Sequence, residues 1–538
     1  MASMTNSMDS IASMASMASM TSVSLALPSP PPLQPTTTTI HVEDIAEDSL
    51  EGNELPDDDA LVNLYYANFH RAHPILVPCS LYTAQHYPAY LRLVVHSIGS
   101  QFSTTGQSDG LKDTAVKAIE SAIPGRKSHH IVQARLLLSI ALHARGEIRE
   151  SVAQLAQAVS VALDAGMHRR AYSTNHGQRS PIIEESLRRT WWELYVVDGF
   201  VAALQRSTGA RSHSCEPDVL LPCSELLHGT AGVEDGPSTL PESPTLEQFD
   251  ARLYADDDAS TSFSSFCYRI DAVRILVRAL AVSSTGAHAA AHDVREEQVQ
   301  AIDNALAAWR HSEAAASQHA AAVTPEDDEM AFQAHMFVAY TAIYLHFWRS
   351  DLAATVPAAF DIIRERHLPP VATRHAHART AVAASKQLVD LAARAATPAA
   401  VQRHTPFFVF ALVFSAIVQL SACAHHGPAF HDLYRDRLAL ISGVLTTLGP
   451  VWMFAHSVGR KFRRMTADLL RVHSSTTQTA FTQIQPHSHA HAQAETAPSR
   501  LMYNIDDNSV DAGFQDSNLY GSAFPWMDLL TWDPEQGL

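Results

Sequence analysis

The chain has 538 residues, a formal net charge of −18 and 46% hydrophobic residues. That is ample for a large core, but the acidic balance excludes a protein whose whole surface tracks nucleic acid, since neutralising phosphates needs clustered Lys and Arg. Its five cysteines, Cys79, Cys215, Cys223, Cys267 and Cys423, are scattered without a C-x-x-C pair, which suits a reducing compartment and leaves no closely spaced thiolate set for a zinc cluster.

Residues 1 to 58 run from a Ser, Met and Ala repeat through a Pro and Thr stretch into an acidic patch, without a single Lys or Arg. Such a segment is expected to be disordered, and its one apolar run, VSLAL from Val23, is too short for a secretory signal. An all-helical body is expected over 59 to 475, opening with Asp59 as N-cap of a helix that starts at Leu61. Ile131 to Arg145 and Arg149 to Gly166 read as an antiparallel helical pair around Gly146. In that pair Ala134, Leu137, Leu138 and Ala141 face Leu155, Ala156, Val159 and Leu163. It has the look of one tetratricopeptide-type unit, but no second copy follows at a fixed period.

Glu184 to Leu204, EESLRRTWWELYVVDGFVAAL, reads as a buried helix. Leu187, Trp191, Leu194, Asp198 and Val201 recur at steps of three and four, and Trp192, Tyr195 and Val196 widen the apolar arc until little of the cylinder stays polar. A carboxylate on that face must be partnered, and Arg188 and Arg189 are the expected partners of Asp198. A Gly, Pro and Ser-rich break is expected at about 207 to 262. Helical patterns then resume at Phe263 to Val282, Val294 to Glu313, Glu326 to Ala354, Val371 to Ala396, Pro406 to Ala424, Ala429 to Leu448 and Val451 to His473. The fold class is all-α: a large helical domain between disordered N-terminal and C-terminal tails.

The pattern RR-x-WW-x-x-Y-x-x-D, carried by Arg188, Arg189, Trp191, Trp192, Tyr195 and Asp198, resembles the signature of the fungal-specific transcription factor domain. This is the regulatory region of fungal binuclear zinc cluster proteins. The turn Gly166, Met167, His168 and Arg169 is similar to the family's "GLHR" turn. LVNLYYANFHRAHPILVP, with Leu61, Tyr65, Phe69, His73, Pro74 and Pro78, is similar to its opening helix and "hHP" turn. EPDVLLP from Glu216 fits its acidic stretch ending in Leu-Pro, while STGARS from Ser207 departs from its Gly-Arg-Pro. The resemblance covers about Leu61 to Pro222 and implies the regulatory half of the family without its six-cysteine DNA-binding module.

Pro406 to Ala424 is long and apolar enough for a membrane span. Ser415, Gln419 and Ser421 recur on one side, however, and no basic anchor follows, so a core helix is the preferred reading. Close histidine sets (His70 with His73, His375 with His377, His425 with His426 and His431, and His487 with His489 and His491) lack the spacing of a zinc framework. No Gly-rich phosphate loop, G-x-S-x-G elbow or H-E-x-x-H occurs, so neither catalytic residues, nor metal ligands, nor a cofactor is expected. Arg460, Lys461, Arg463 and Arg464 spread around one helix, either as a solvated face or as a patch for nuclear import or a phosphate contact.

Residues 476 to 538 are expected to form a disordered tail, ending in the acidic and aromatic segment GSAFPWMDLLTWDPEQGL. Its Asp residues keep Phe524, Trp526, Met527, Leu529, Leu530 and Trp532 from collapsing, free to fold into a partner's groove as an activation segment or to dock on the body as a lid. The resemblance implies a nuclear transcriptional regulator, with activation of metabolic or biosynthetic cluster genes as the expected role. It would act through a DNA-bound partner or coactivator, reach DNA only indirectly or through a missing module, pair as a homo- or heterodimer, and need no membrane. A helical ligand-sensing or scaffold protein is the alternative.

Overall fold

The computed structural model describes residues 58–103, 108–122, 128–207, 209–224, 228, 242–254, 263–284, 292–319, 328–355, 369–394, 397–426, 431–464 and 466. Among them there is no strand. The helices are α1 (Asp58–Tyr65), α2 (Ala89–Ser100), α3 (Ser108–Ser121), α4 (His129–Arg145), α5 (Ile148–Ala165), α6 (Arg170–His176), α7 (Pro181–Leu204) and α8 (Leu246–Ala251). They continue with α9 (Ser265–Ser284), α10 (His292–His319), α11 (Glu329–His346), α12 (Val371–Ala393), α13 (Pro398–Gln402), α14 (Phe407–His426), α15 (His431–Leu448) and a last helix over 453–464.

Local chemistry sets several of these boundaries. Ser128 caps α4 by accepting from His130 N. Gly146 (φ 83°) and Gly166 (φ 78°) end α4 and α5 in the left-handed region that favours glycine. After each glycine the next N–H turns back onto the helix, Glu147 N to Leu142 O and Met167 N to Ala162 O. The hairpin expected around Gly146 is therefore formed, but Ala156 lies exposed and Leu163 half-buried. Ala158 and Ala162 fill the contact line instead. Helix α1 begins at Asp58, so Asp59 sits in its first turn rather than at its cap.

Five helices, α2, α3, α6, α8 and α13, lie outside the stretches that the periodicity marks as helical. The helix expected over Glu326 to Ala354 breaks at His346 into two 3-10 turns, Phe347–Arg349 and Asp351–Thr355, with extended Ser350 between them. The expected break at 207 to 262 contains α8 and two 3-10 turns, Arg211–Ser214 and Arg252–Tyr254.

The core lies where α7, α9, α11 and α14 pack together, with α4 and α5 on one side and α12 on the other. Phe407–His425 has a mean hydropathy of 2.2 and meets the length and composition of a membrane span, yet 89% of it is buried in the protein. Its polar stripe explains the seating. Ser415 Oγ donates to Ser385 O of α12 (3.0 Å), Gln419 Nε2 donates to Ser385 Oγ (2.7 Å), and Arg437 of α15 donates to Gln419 Oε1 (3.2 Å). Buried hydroxyls and amides need such partners, so the stripe directs this helix toward protein.

Candidate functional site

Helix α7 is the strut on which the distant sequence motifs converge. Every residue from Glu185 to Leu204 except Asp198 is buried. At Gly199 a Cβ would meet Val273 Cγ1 at 2.6 Å and His213 Nε2 at 2.9 Å, so the glycine permits the close approach of α9.

The two tryptophans serve differently. Trp192 Nε1 donates to Leu220 O (2.9 Å), tying the helix to the EPDVLLP segment. Trp191 packs its ring 5.6 Å from that of His168, in the GMHR turn, and its N–H has no hydrogen-bond partner among the described residues. The turn and the acidic segment also hold each other. Asp218 N and Val219 N donate to His168 O, and the Asp218 carboxylate accepts from Arg170 N at the start of α6 (2.7 Å). A carboxylate at that position satisfies a free helix N–H and complements the helix dipole.

The arginines do not pair with Asp198 as expected. Arg188 and Arg189 both donate to Glu185, one turn earlier, at 2.8 Å each. Arg189 reaches on to Cys223 O (2.9 Å), and Cys223 N donates to Glu185 Oε1 (2.9 Å). Burial alone would raise the Glu185 carboxyl, but the two guanidiniums and His228 hold it at about 2. Asp198 instead accepts from Ser212 N and Ser212 Oγ, both at 2.8 Å. Burial raises its carboxyl, and the Ser212 bonds oppose that rise. The correction has a geometric reason: an arginine at i−9 or i−10 lies nearly three turns away along the axis, whereas Glu185 is within reach at i−3 and i−4.

Glu193, which the sequence reading passed over, is the centre of a wider network. Arg269 of α9 grips both its oxygens, at 2.5 and 2.8 Å, and His73 Nδ1 lies 2.8 Å from Oε1. Burial would raise this carboxyl, and Arg269 with the His73 bond holds it at about 2. His73 Nε2 continues to Thr405 Oγ1 (3.1 Å), and Thr405 N donates to Glu329 Oε1 (3.1 Å). Glu329 also takes His404 Nδ1 (2.6 Å) and Gln333 Nε2 (2.9 Å), and Gln333 donates to Ala72 O (3.0 Å). The only sequence signal for Glu193 was an acidic residue directly after the tryptophans, on a helix with no solvent face.

Thr405, His73 and Glu193 stand in the order of a hydroxyl, base and acid triad. Their burial decides the chemistry: His73 and Glu193 are 0% exposed and Thr405 1%. Thr405 Oγ1 also accepts from Phe407 N at the start of α14, so the threonine serves as a helix cap. The arrangement is a satisfied structural relay closed to any substrate.

Of the other candidates, Arg460, Arg463 and Arg464 are exposed and Lys461 is half-buried on the last helix, with Phe462 buried between them. Arg463 donates to Thr446 Oγ1 (2.9 Å). Phe524, Trp526, Met527, Leu529, Leu530 and Trp532 lie outside the described residues, as do His487, His489 and His491. No group of three or more His, Cys, Asp or Glu among the described residues is placed to hold a metal ion.

Comparison with known proteins meets the same motifs. Residues 62–311 match the model of the fungal specific transcription factor domain. The C6 finger domain transcription factor iacK of Pestalotiopsis fici is 27% identical over 419 residues, which cover 76% of this chain and 59% of that relative. The chain thus spans less than two thirds of the relative's length. No solved structure matches. The HP turn, the GMHR turn, the double-tryptophan helix and the EPDVLLP segment all fall inside the matched region and brace one another through α7, and residues 62–311 are a fungal specific transcription factor domain.

Proposed function

We propose that this protein is a nuclear transcriptional regulator whose helical body is a regulatory module and whose C-terminal acidic and aromatic segment recruits the transcription machinery. The observation that carries the reading is the match of residues 62–311 to a transcription factor domain, joined to a wider similarity to a C6 finger transcription factor. The five scattered cysteines of this sequence do not form a six-cysteine cluster. DNA is therefore reached through a DNA-bound partner or through a module outside this sequence, and the partner is a DNA-binding transcription factor, a coactivator or a second copy of the chain. Activation of metabolic or biosynthetic cluster genes is the finer reading. It rests on the family resemblance and on the segment from Phe524 to Trp532.

Two measurements test it. Chromatin precipitation of the tagged full chain should recover a defined set of promoters, and recovery of none from a protein that stays cytoplasmic would favour the helical ligand-sensing or scaffold reading. Residues 501–538 fused to a heterologous DNA-binding domain should activate a reporter, and Ala at Trp526, Leu529, Leu530 and Trp532 should abolish that activity. An inactive intact fusion removes the activator reading while leaving the regulator reading to the precipitation result.

A further inference from the structure

The last helix, over 453–464, presents a basic face that none of the contacts above employs. Arg460, Arg463 and Arg464 stand at i, i+3 and i+4, a spacing that puts them on one side of the helix, and all three are exposed. The opposite side is fixed in the core by Val458 and Phe462.

Neighbouring elements extend this face. The helix lies along α15, where Gly459 packs against Leu445 and Arg463 donates to Thr446 Oγ1 (2.9 Å). At the next residue of α15, Thr447 O accepts from Gln402 Nε2 of α13 (3.1 Å), which brings exposed Arg403 to the same end of α15. Among the described residues none of these four arginines pairs with a carboxylate. The sequence has no Asp or Glu between Asp390 and Asp432, or between Asp436 and Asp468. Asp432 and Asp436 stand in the first two turns of α15, about 15 Å or more along its axis from Thr446. That separation exceeds the screening length of about 8 Å at physiological salt. Glu329 approaches His404, but it is buried and already taken by His404, Thr405 N and Gln333.

Like charges at i, i+3 and i+4 destabilise a helix, and no carboxylate of the body offsets them here. A nucleic-acid backbone supplies the missing negative charge at fixed intervals, and guanidinium forks match phosphate oxygens. We propose that Arg403, Arg460, Arg463 and Arg464 form a sequence-independent contact to the phosphates of duplex DNA, beside the site held by the DNA-binding partner. The inference rests on the transcriptional-regulator reading above, which makes duplex DNA the polyanion. The fold weighs against an import signal read as an extended basic peptide, because such a reader would have to draw Phe462 out of the core and release Arg463 from Thr446.

The test is titration of a fluorescently labelled duplex of arbitrary sequence with the full chain, followed by anisotropy from about 50 to about 200 mM salt. With about four phosphates neutralised, the log–log salt slope should be about −3 to −4. Arg460→Gln, Arg463→Gln and Arg464→Gln together should weaken binding about tenfold or more, and Lys at the same positions should restore most of the affinity. Each single Gln change should take about 0.9 off the slope, which keeps the test decidable if the triple variant does not fold. Gln at exposed Arg149 of α5 and Arg379 of α12 should leave binding unchanged. A wild type that does not bind, a triple Gln variant that binds equally well, or an equal loss from the Arg149 and Arg379 changes would each overturn the proposal. So would a preference for RNA of the same length, or a triple Gln variant that keeps DNA binding and loses only nuclear accumulation. Promoter recovery by the full chain judges the regulator reading separately, so promoters recovered without duplex binding would remove this face alone.

Discussion

His73 Nδ1 lies 2.8 Å from Glu193 Oε1, with both side chains wholly removed from solvent and 120 positions apart in the chain. The contact joins the turn after α1 to the central helix, and through Thr405 and Glu329 it reaches the helices on the far side of the core. Glu193 is also gripped by Arg269, and a buried ion pair of that kind adds little over a well-packed apolar pair, but breaking one partner leaves the other charged and unsatisfied. Glu193→Gln should therefore destabilise the body by about 3–5 kcal/mol, read as a shift in the urea midpoint. Replacing Glu193 and Arg269 together by apolar residues should cost much less than the two single changes added. An additive result would show that the two side chains act independently.

The pH dependence of stability follows from histidines held neutral. Burial, the leading cause in each case, pushes His70 and His129 down to about 3 and His143 and His213 down to about 4. Unfolded, these groups titrate near about 6.5, so the unfolded chain binds more protons and stability falls as pH drops below that point. Glu185 and Glu193, held at about 2, act in the same direction only below their unfolded value near about 4.3. The first loss between about pH 6.5 and 4.5 therefore belongs to the histidines, at up to about 1.4 kcal/mol per pH unit for each. Urea midpoints measured across that range should decline steadily, and His143→Gln should flatten the slope. A flat profile would contradict the neutral-histidine account.

Two glycines in neighbouring helices make a matched pair. A Cβ at Gly99 would lie 2.1 Å from the backbone oxygen of Leu61, which can yield only if α1 and α2 separate. Gly99→Ala should cost about 1–3 kcal/mol or more. At Gly110, in α3, nothing lies within 4 Å of the added carbon, and Gly110→Ala should be neutral or stabilise by about 0.5–1 kcal/mol through helix propensity. Thermal melts of the two variants should move in different directions, and a drop for Gly110→Ala as large as that for Gly99→Ala would rule out the steric explanation.

The extent of the cooperative unit is a further expectation. Ala72 and His73, inside the matched 62–311 region, draw partners from Gln333 and Thr405, outside it. A chain ending at 319 would leave those buried groups unpaired and expose the face of α9 that packs on α11. It should lose near-UV circular dichroism and resist proteolysis poorly, whereas a chain of residues 58–466 should keep both properties. A well-folded 58–319 fragment would show that the C-terminal helices are dispensable.

The elements best read from sequence were those whose signal is local. Period and length placed α7, α9, α12, α14 and α15 to within a few residues, and glycine punctuation located the α4 and α5 hairpin. The apolar stretch of α14 could also be assigned to the interior from its own polar stripe. The helices that escaped, α2, α3, α6, α8 and α13, are short or lie in stretches interrupted by small, polar or charged residues, where the local pattern is weak and tertiary contacts decide. The partners of Asp198 were misassigned for a related reason: arginines on the same helix were nearer in sequence, but Ser212 was brought to it by the turn that follows α7.

The sequence by itself determined the all-helical class and the motifs that identify the domain, because helical periodicity, capping and turn chemistry act over only a few residues. Only the tertiary structure decided that Glu193 and Glu185 anchor the buried charges and that His73 reaches Thr405. Each of those contacts joins residues whose pairing depends on how helices cross, and a short-range pattern carries no information about that crossing.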